Sequence, residues 1–207
     1  MVLAVVLGSA AGGGFPQWNS NAPGCRRARQ GEAAARACSQ ASLAVCANGK
    51  DWFLLNASPD LRLQIEATAQ LHPRGGLRSS PIAGVVLTGS DVDAIAGLLH
   101  LRERHRFDIY APSRILAIIA ANPIFDVLAP DCVRRIELPL DERTELAATS
   151  GTSGLAVVAF AVPGKVPLYL ETGGQDPGLS DEGDAVGLEV VETATGKSFF
   201  LFPDALR

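Results

Sequence analysis

Two acids lie two residues apart, Asp91 and Asp93, just past the apolar run Val85-Val86-Leu87 in Gly84–Leu99, GVVLTGSDVDAIAGLL. A loop that delivers paired carboxylates from the end of a strand is a common way to place metal ligands, and in α/β sheets ligands gather at the carboxyl ends of strands. Without an imidazole, two carboxylates suit a hard cation, and weakly. Ala94 follows them directly. The three histidines lie elsewhere: His72 is beside Pro73, while His100 and His105 fall on or just after the helix that should follow, on its solvated side. The other reading is that both acids serve the first turn of that helix, where the dipole favours negative charge. The glycine run after the first strand, LGSAAGGGFPQWN, invites a phosphate reading, yet GxGxxG is absent and no lysine follows as a P-loop requires. Proline and asparagine keep a helix from opening there, so these glycines serve close approach of backbone to a ligand or another loop.

The elements that must position these residues can be read in chain order. Val2–Leu7 is a short apolar strand and Arg26–Ala37 a polar, alanine-rich helix or loop. Ser42–Ala47 and Trp52–Asn56 flank Asn48-Gly49, a strong hairpin signal. Leu61–Leu71 has helical spacing. Thr88-Gly89-Ser90 breaks the central strand, and Ile95, Leu98, Leu99 and Leu101 mark the buried face of the helix after it. Phe107–Ala111 is a strand, and Pro112-Ser113 starts a helix that runs to Ala121. Val133–Leu138 is a strand, followed by a polar stretch to Gly154. Leu155–Val162, Val166–Glu171, Ala185–Glu192 and Lys197–Phe202 are strands, with an acidic, glycine-rich loop over Thr172–Asp184. Strands alternate with helices early and dominate late, with no repeat and no linker, so residues 1–207 read as one domain.

Composition sets the outer bounds. The 207 residues are 47% hydrophobic and 19% charged, a globular balance. A net charge of −4, with no basic cluster beyond Arg26, Arg27 and Arg29, argues against nucleic acid as partner. No apolar run reaches the roughly 18 residues of a membrane span, and the first residues lack the basic start of a signal peptide. Cys25, Cys38, Cys46 and Cys132 are spaced too irregularly for a disulfide framework, so they read as thiols in a reducing cytoplasm.

The blocks LGSAAGGGFPQWN, LLNASPDLRLQIEA, LRSSPIAGVVLTGSDVDAIAGLLHLRE, ANPIFDVL and AVPGKVPLYLE resemble the coenzyme PQQ (pyrroloquinoline quinone) synthesis protein B family, collinearly from Val2 to about Pro203. The resemblance implies the αββα sandwich of the metallo-β-lactamases, an α/β fold. It places Ser9, Gly12, Gly13, Gln17, Trp18, Asn19, Ser58 and Asp60 among the substrate-binding residues. It also implies iron or zinc. Here the chain departs from the family: the signature loop maps onto Gly89–Ala94, so Asp91 and Asp93 match the acids, while Ala94 stands where the family has histidine. The family's cysteine cluster falls on Ser20, Ala22 and Cys25, which leaves Cys25 as the remnant of a structural zinc site that one thiol cannot close. The family also continues past the last strand with further metal-centre residues, so the expectation is a fold incomplete at its C-terminus, without stoichiometric transition metal, whose late strands self-associate.

Three functions follow as expectations. The resemblance implies PQQ biosynthesis, by metal-dependent hydroxylation of a tyrosine-derived precursor or by carriage of PQQ or its precursor to the periplasm. A degenerate paralogue would instead bind a small-molecule ligand or partner without catalysis. An unrelated hydrolase is the poorest reading, since neither a Gly-x-Ser-x-Gly elbow nor an intact metal signature exists. The glycine loop Gly12–Asn19 is expected to pack on the Asp91–Asp93 loop.

Overall fold

The computed structural model describes residues 1–149, 151–163, 169 and 184–202. Two sheets lie face to face. The first holds six strands in the order β1 (Leu3–Gly8), β2 (Ser42–Cys46), β3 (Trp52–Leu55), β4 (Ile82–Val86), β5 (Phe107–Ala111) and β6 (Val133–Glu137). β1, β2 and β3 pair antiparallel, and β3 through β6 run parallel. The second sheet has the order β10 (Ser198–Leu201), β9 (Val186–Glu192), β8 (Thr152–Ala161) and β7 (Arg143–Ala147), all antiparallel.

The β2–β3 hairpin turns where Asn-Gly predicts, with Gly49 at φ +76°. The Asn48 side-chain oxygen accepts the amides of Lys50 and Asp51 at 2.9 Å each, the local bonding that suits asparagine to turns. The parallel strands read as unbroken apolar runs because both their faces are covered. β3 and β4 have no residue above the burial of a core position. One core lies between the first sheet and its helices, α2 (Leu61–Ala67), α3 (Val92–Ile95) and α4 (Ser113–Ala121), and takes in Leu54, Val85, Leu98, Ile109 and Ile115. The other lies between the sheets, where Phe53, Val86 and Tyr110 meet Val157 and Leu188. Among the described residues the outer face of the second sheet carries no helix. There Phe160, Phe200 and Phe202 form a cluster with ring centroids 5.5 to 6.2 Å apart, Phe200 and Phe202 being exposed.

Several boundaries differ from expectation. Of Arg26–Ala37 only the part to Arg29 is helical, as the end of α1 (Pro23–Arg29), and Leu61–Leu71 splits into α2 and a 3-10 turn at Ala69–Leu71. The helix after Asp91 is a single α turn that passes into a 3-10 helix over Ala96–Leu101. The cause is contact: a side chain at Gly97 would run into the carbonyl oxygens of Ala57 and Ser58, so this segment is pressed against backbone. β7 lies in the stretch that reads as polar loop, because it is an edge strand with exposed Arg143 and Glu145. The expected strand at Val166–Glu171 lies outside the described residues but for Tyr169.

Candidate functional site

β4 ends beneath the acid loop, and β3 ends beside it at Asn56. This asparagine sits at φ 63°, a left-handed conformation it tolerates better than most residues. Its side chain bridges to the neighbouring strand end: Oδ1 accepts the Thr88 amide at 2.9 Å, and Nδ2 donates to Thr88 Oγ1 at 2.7 Å. The Ser42 hydroxyl holds the Asn56 carbonyl at 2.8 Å. From the other sheet, Val186 donates to the Thr88 carbonyl at 2.8 Å and Ala185 bridges to Gly89. The Gly89–Asp93 loop is thus gripped from both sides. Asp91 occupies the N-cap position of α3, and its carbonyl receives the amides of Ala94 and Ile95. Its carboxylate makes no cap hydrogen bond, while Asp93 lies in the first turn of α3, where the helix dipole favours an acid.

The glycine loop forms the facing wall. A Cβ on Gly12 would lie 2.8 Å from Asp93 Oδ2, so the backbone rests directly on that carboxylate. Gly13 donates to Gln40 Oε1 at 3.1 Å, and the buried Gln40 is fixed in turn by Asp60, which accepts its backbone amide at 2.9 Å and its side-chain amide at 3.2 Å. Farther along, Arg29 on α1 donates to the carbonyls of Gln17 and Ser20 at 2.6 Å each. Trp18 projects from this clamp, 82% exposed. Between the walls is a cavity of about 90 Å³ lined by Ala10, Ala11, Ala41, Asn56, Thr88, Gly89, Asp91, Asp93, Ala94 and Ala185.

Of the residues singled out in the sequence, Asp91 and Asp93 line this cavity and Gly12 backs onto Asp93. The expected packing of the two loops is therefore present at Gly12. Gln17, Trp18 and Asn19 lie on the exposed outer part of the glycine loop. Asp60 supports the wall from behind through Gln40, and Ser58 is fully buried with its hydroxyl donating to Gln64 Oε1 at 3.1 Å. Ser9 turns to Cys38: its amide and hydroxyl lie 3.3 and 3.1 Å from Sγ and hold that thiol below its usual range. Cys25 is buried, its thiol lowered by the Ser20 hydroxyl, the Gln17 amide and the Arg29 charge, in that order.

Four participants escape the sequence reading. Asn56 and Thr88 line the cavity and tie its two strand ends together. Asp184, 2% exposed, pairs with Arg114 at the start of α4 beside Ala185. The Tyr169 hydroxyl donates to the Ser90 carbonyl at 2.7 Å, and burial pushes that phenol up. Asn56, ending an apolar strand, and Thr88, opening the turn after β4, had a local signal. The others depend on chain distant in sequence.

The side chains that line this cavity do not by themselves complete a transition-metal site. Among the described residues no group of three or more His, Cys, Asp or Glu is placed to hold a metal. Ala94 is buried in α3 next to Asp93, and its side chain offers no nitrogen. Two carboxylates with an amide and a hydroxyl can accept hydrogen bonds from a polar ligand or hold a hard cation weakly.

A family model described as beta-lactamase superfamily domain matches residues 51–206. The coenzyme PQQ synthesis protein B of Rhodopseudomonas palustris (strain BisB5) is 51% identical over 209 residues, covering 100% of this chain and 67% of its own length. That of Gluconacetobacter diazotrophicus is 53% identical over 193 residues, 93% of this chain and 63% of the relative. The crystal structure of Zn(2+)-bound PqqB from Methylobacterium extorquens superposes with a TM-score of 0.91 at 46% identity, over 99% of this chain and 66% of that one. A diphosphatase of the PhnP family shares the fold, with a TM-score of 0.63 at 18% identity. The chain thus spans roughly two thirds of the relatives it matches. With half of its residues shared across that whole span and the same two-sheet frame, the chain belongs to the coenzyme PQQ synthesis protein B family, within the metallo-β-lactamase fold.

Proposed function

We propose that the chain acts in PQQ biosynthesis and that the cavity between the glycine loop and the Asp91–Asp93 loop binds PQQ or its precursor. The observation that carries this is the 51% identity over the full chain to a PQQ synthesis protein B, with Asp91 and Asp93 on a strand-end loop. In this reading the carboxylates of Asp91 and Asp93 accept hydrogen bonds from the ligand, and Asn56 fixes the floor. The Arg29 clamp fixes the backbone that carries Trp18 on the outer part of the glycine loop. The cavity of about 90 Å³ suits one polar end of a ligand, with the rest lying along Trp18 and the outer loop. All four cysteines are free thiols, which suits a cytoplasmic place of action. The exposed Phe200 and Phe202 support association between copies.

A binding role without hydroxylation is favoured by Ala94 in place of the family's histidine, and a carrier of PQQ or its precursor is one form of it. The catalytic form requires iron or zinc, and the donor set among the described residues does not supply a complete site for either. The test is complementation. In a strain deleted for its own PQQ synthesis protein B, the binding reading expects no PQQ from this chain, and saturable binding of PQQ by the purified chain that Asp93→Asn weakens. Restored PQQ formation would overturn the non-catalytic form, and absence of binding with a folded chain would overturn the proposal for the cavity.

A further inference from the structure

We propose a second ligand site, for a small organic carboxylate, at the opposite end of the first sheet. The acid loop follows the carboxyl end of β4. Arg106 and Cys132 immediately precede β5 and β6, which run parallel to β4, so they lie at the other end of the strands. There a cavity of about 400 Å³ opens between the sheets, with Arg106, Phe107, Asp108, Cys132 and Arg134 on one side and Thr149 on the other.

Its centre is an arginine held rigidly. Arg134 gives Nε to Asp108 Oδ1 at 2.7 Å and Nη2 to Oδ2 at 2.6 Å, across paired positions of β5 and β6. Asp108 is buried, 6% exposed, and takes a further bond from the Tyr110 hydroxyl at 3.2 Å. That hydroxyl accepts the Ala147 amide at 2.8 Å, which ties the network to the second sheet. A guanidinium has five N–H groups in a fixed plane, and Asp108 occupies two, so three remain directed away from it. The Arg134 side chain is 67% exposed, so these donors face solvent. A carboxylate that has already aligned a guanidinium leaves less ordering cost for the next anion.

Charge points the same way. Asp108 balances Arg134, and Asp131 is engaged by Arg104 at 2.6 Å. Arg106 is then the uncompensated charge on the wall among the described residues. Two guanidinia beside the small apolar side chains of Ala83, Ala147 and Ala148 match a carboxylate head on an apolar body. An inorganic anion would use the charge and leave the apolar wall idle.

Chemical-shift mapping with benzoate and inorganic phosphate, in chloride-free buffer, tests this. Benzoate should shift the amides of Phe107, Cys132 and Thr149 saturably and leave Gly12 and Asp93 unmoved. Arg106→Ala should weaken it about tenfold, as expected for loss of one charge-assisted contact. Arg134→Lys keeps the charge, loses the fork and should weaken it comparably. Should Arg134→Lys fail to fold, Arg106→Ala decides alone. No saturable shift, equal affinity for phosphate, or affinity unchanged in folded variants would overturn the site. None of these outcomes depends on the cavity at Asp91.

Discussion

Asn56 combines a left-handed backbone with a side chain that satisfies both the amide and the hydroxyl of Thr88. Asn56→Ala removes the bridge, leaves buried polar groups unmatched and puts a Cβ residue without polar compensation at positive φ. The expected loss is roughly 2 to 4 kcal/mol. Asn56→Gly relieves the backbone and should cost about half as much, which urea unfolding of both variants would read directly. An equal loss in the two would mean that the side-chain bridge alone carries the effect. The place of Asp91 and Asp93 at a strand-end loop is legible from sequence because an apolar run and a turn precede them, a pattern they share with acids that serve a helix's first turn. Asp184 and Arg114 are not legible, because nothing local distinguishes a buried aspartate in an acidic stretch from a solvated one. Their pairing depends on β9 and α4 meeting in space.

At the scale of elements, the short α3 and the 3-10 helix after it show contact overriding periodicity. The spacing of Ile95, Leu98 and Leu101 specifies which face is buried, and Leu98 is fully buried. It does not specify the pitch, which the close approach of Gly97 to Ala57 and Ser58 sets. Gly97→Ala must push two backbone carbonyls aside and should destabilise by about 3 kcal/mol or more. Gly75→Ala meets no atom within 4 Å and should leave stability within about 0.5 kcal/mol. Parallel thermal melts separate the two, and a tolerated Gly97→Ala would mean that the α3 segment can lift away from α2. The hairpin at Asn48 and the strands β4 and β5 were readable because local chemistry and burial agree there. β7 was not, because an edge strand shows water a polar face.

At the scale of the molecule, the two sheets meet through a core that contains one phenol. Tyr110 is 1% exposed, and burial pushes its ionisation up to about 12. A raised phenol favours the neutral form in the fold, so its contribution is complete below the unfolded value of about 10. It is lost as pH rises from about 10 through 12. Stability should therefore fall over that alkaline window, and Tyr110→Phe should lose that dependence while giving up the bonds to Asp108 and Ala147. Urea melts at stepped alkaline pH measure this, and a phenylalanine variant with an unchanged slope would assign the loss to other groups. The sandwich itself was legible through the collinear blocks shared with the family. Periodicity alone gave alternating strands and helices and did not say how many sheets they form.

The bond from Val186 to the Thr88 carbonyl has a consequence in time. The acid loop, the glycine wall and Asn56 all emerge early during synthesis, yet the loop is gripped from its second side only after β9 has been made. Pairings between distant segments form slowly, because the intervening chain must first be brought together. A nascent chain that has just completed β6 therefore carries Asp91 and Asp93 on a loop held from one side alone, and a pause in translation before β9 would prolong that state.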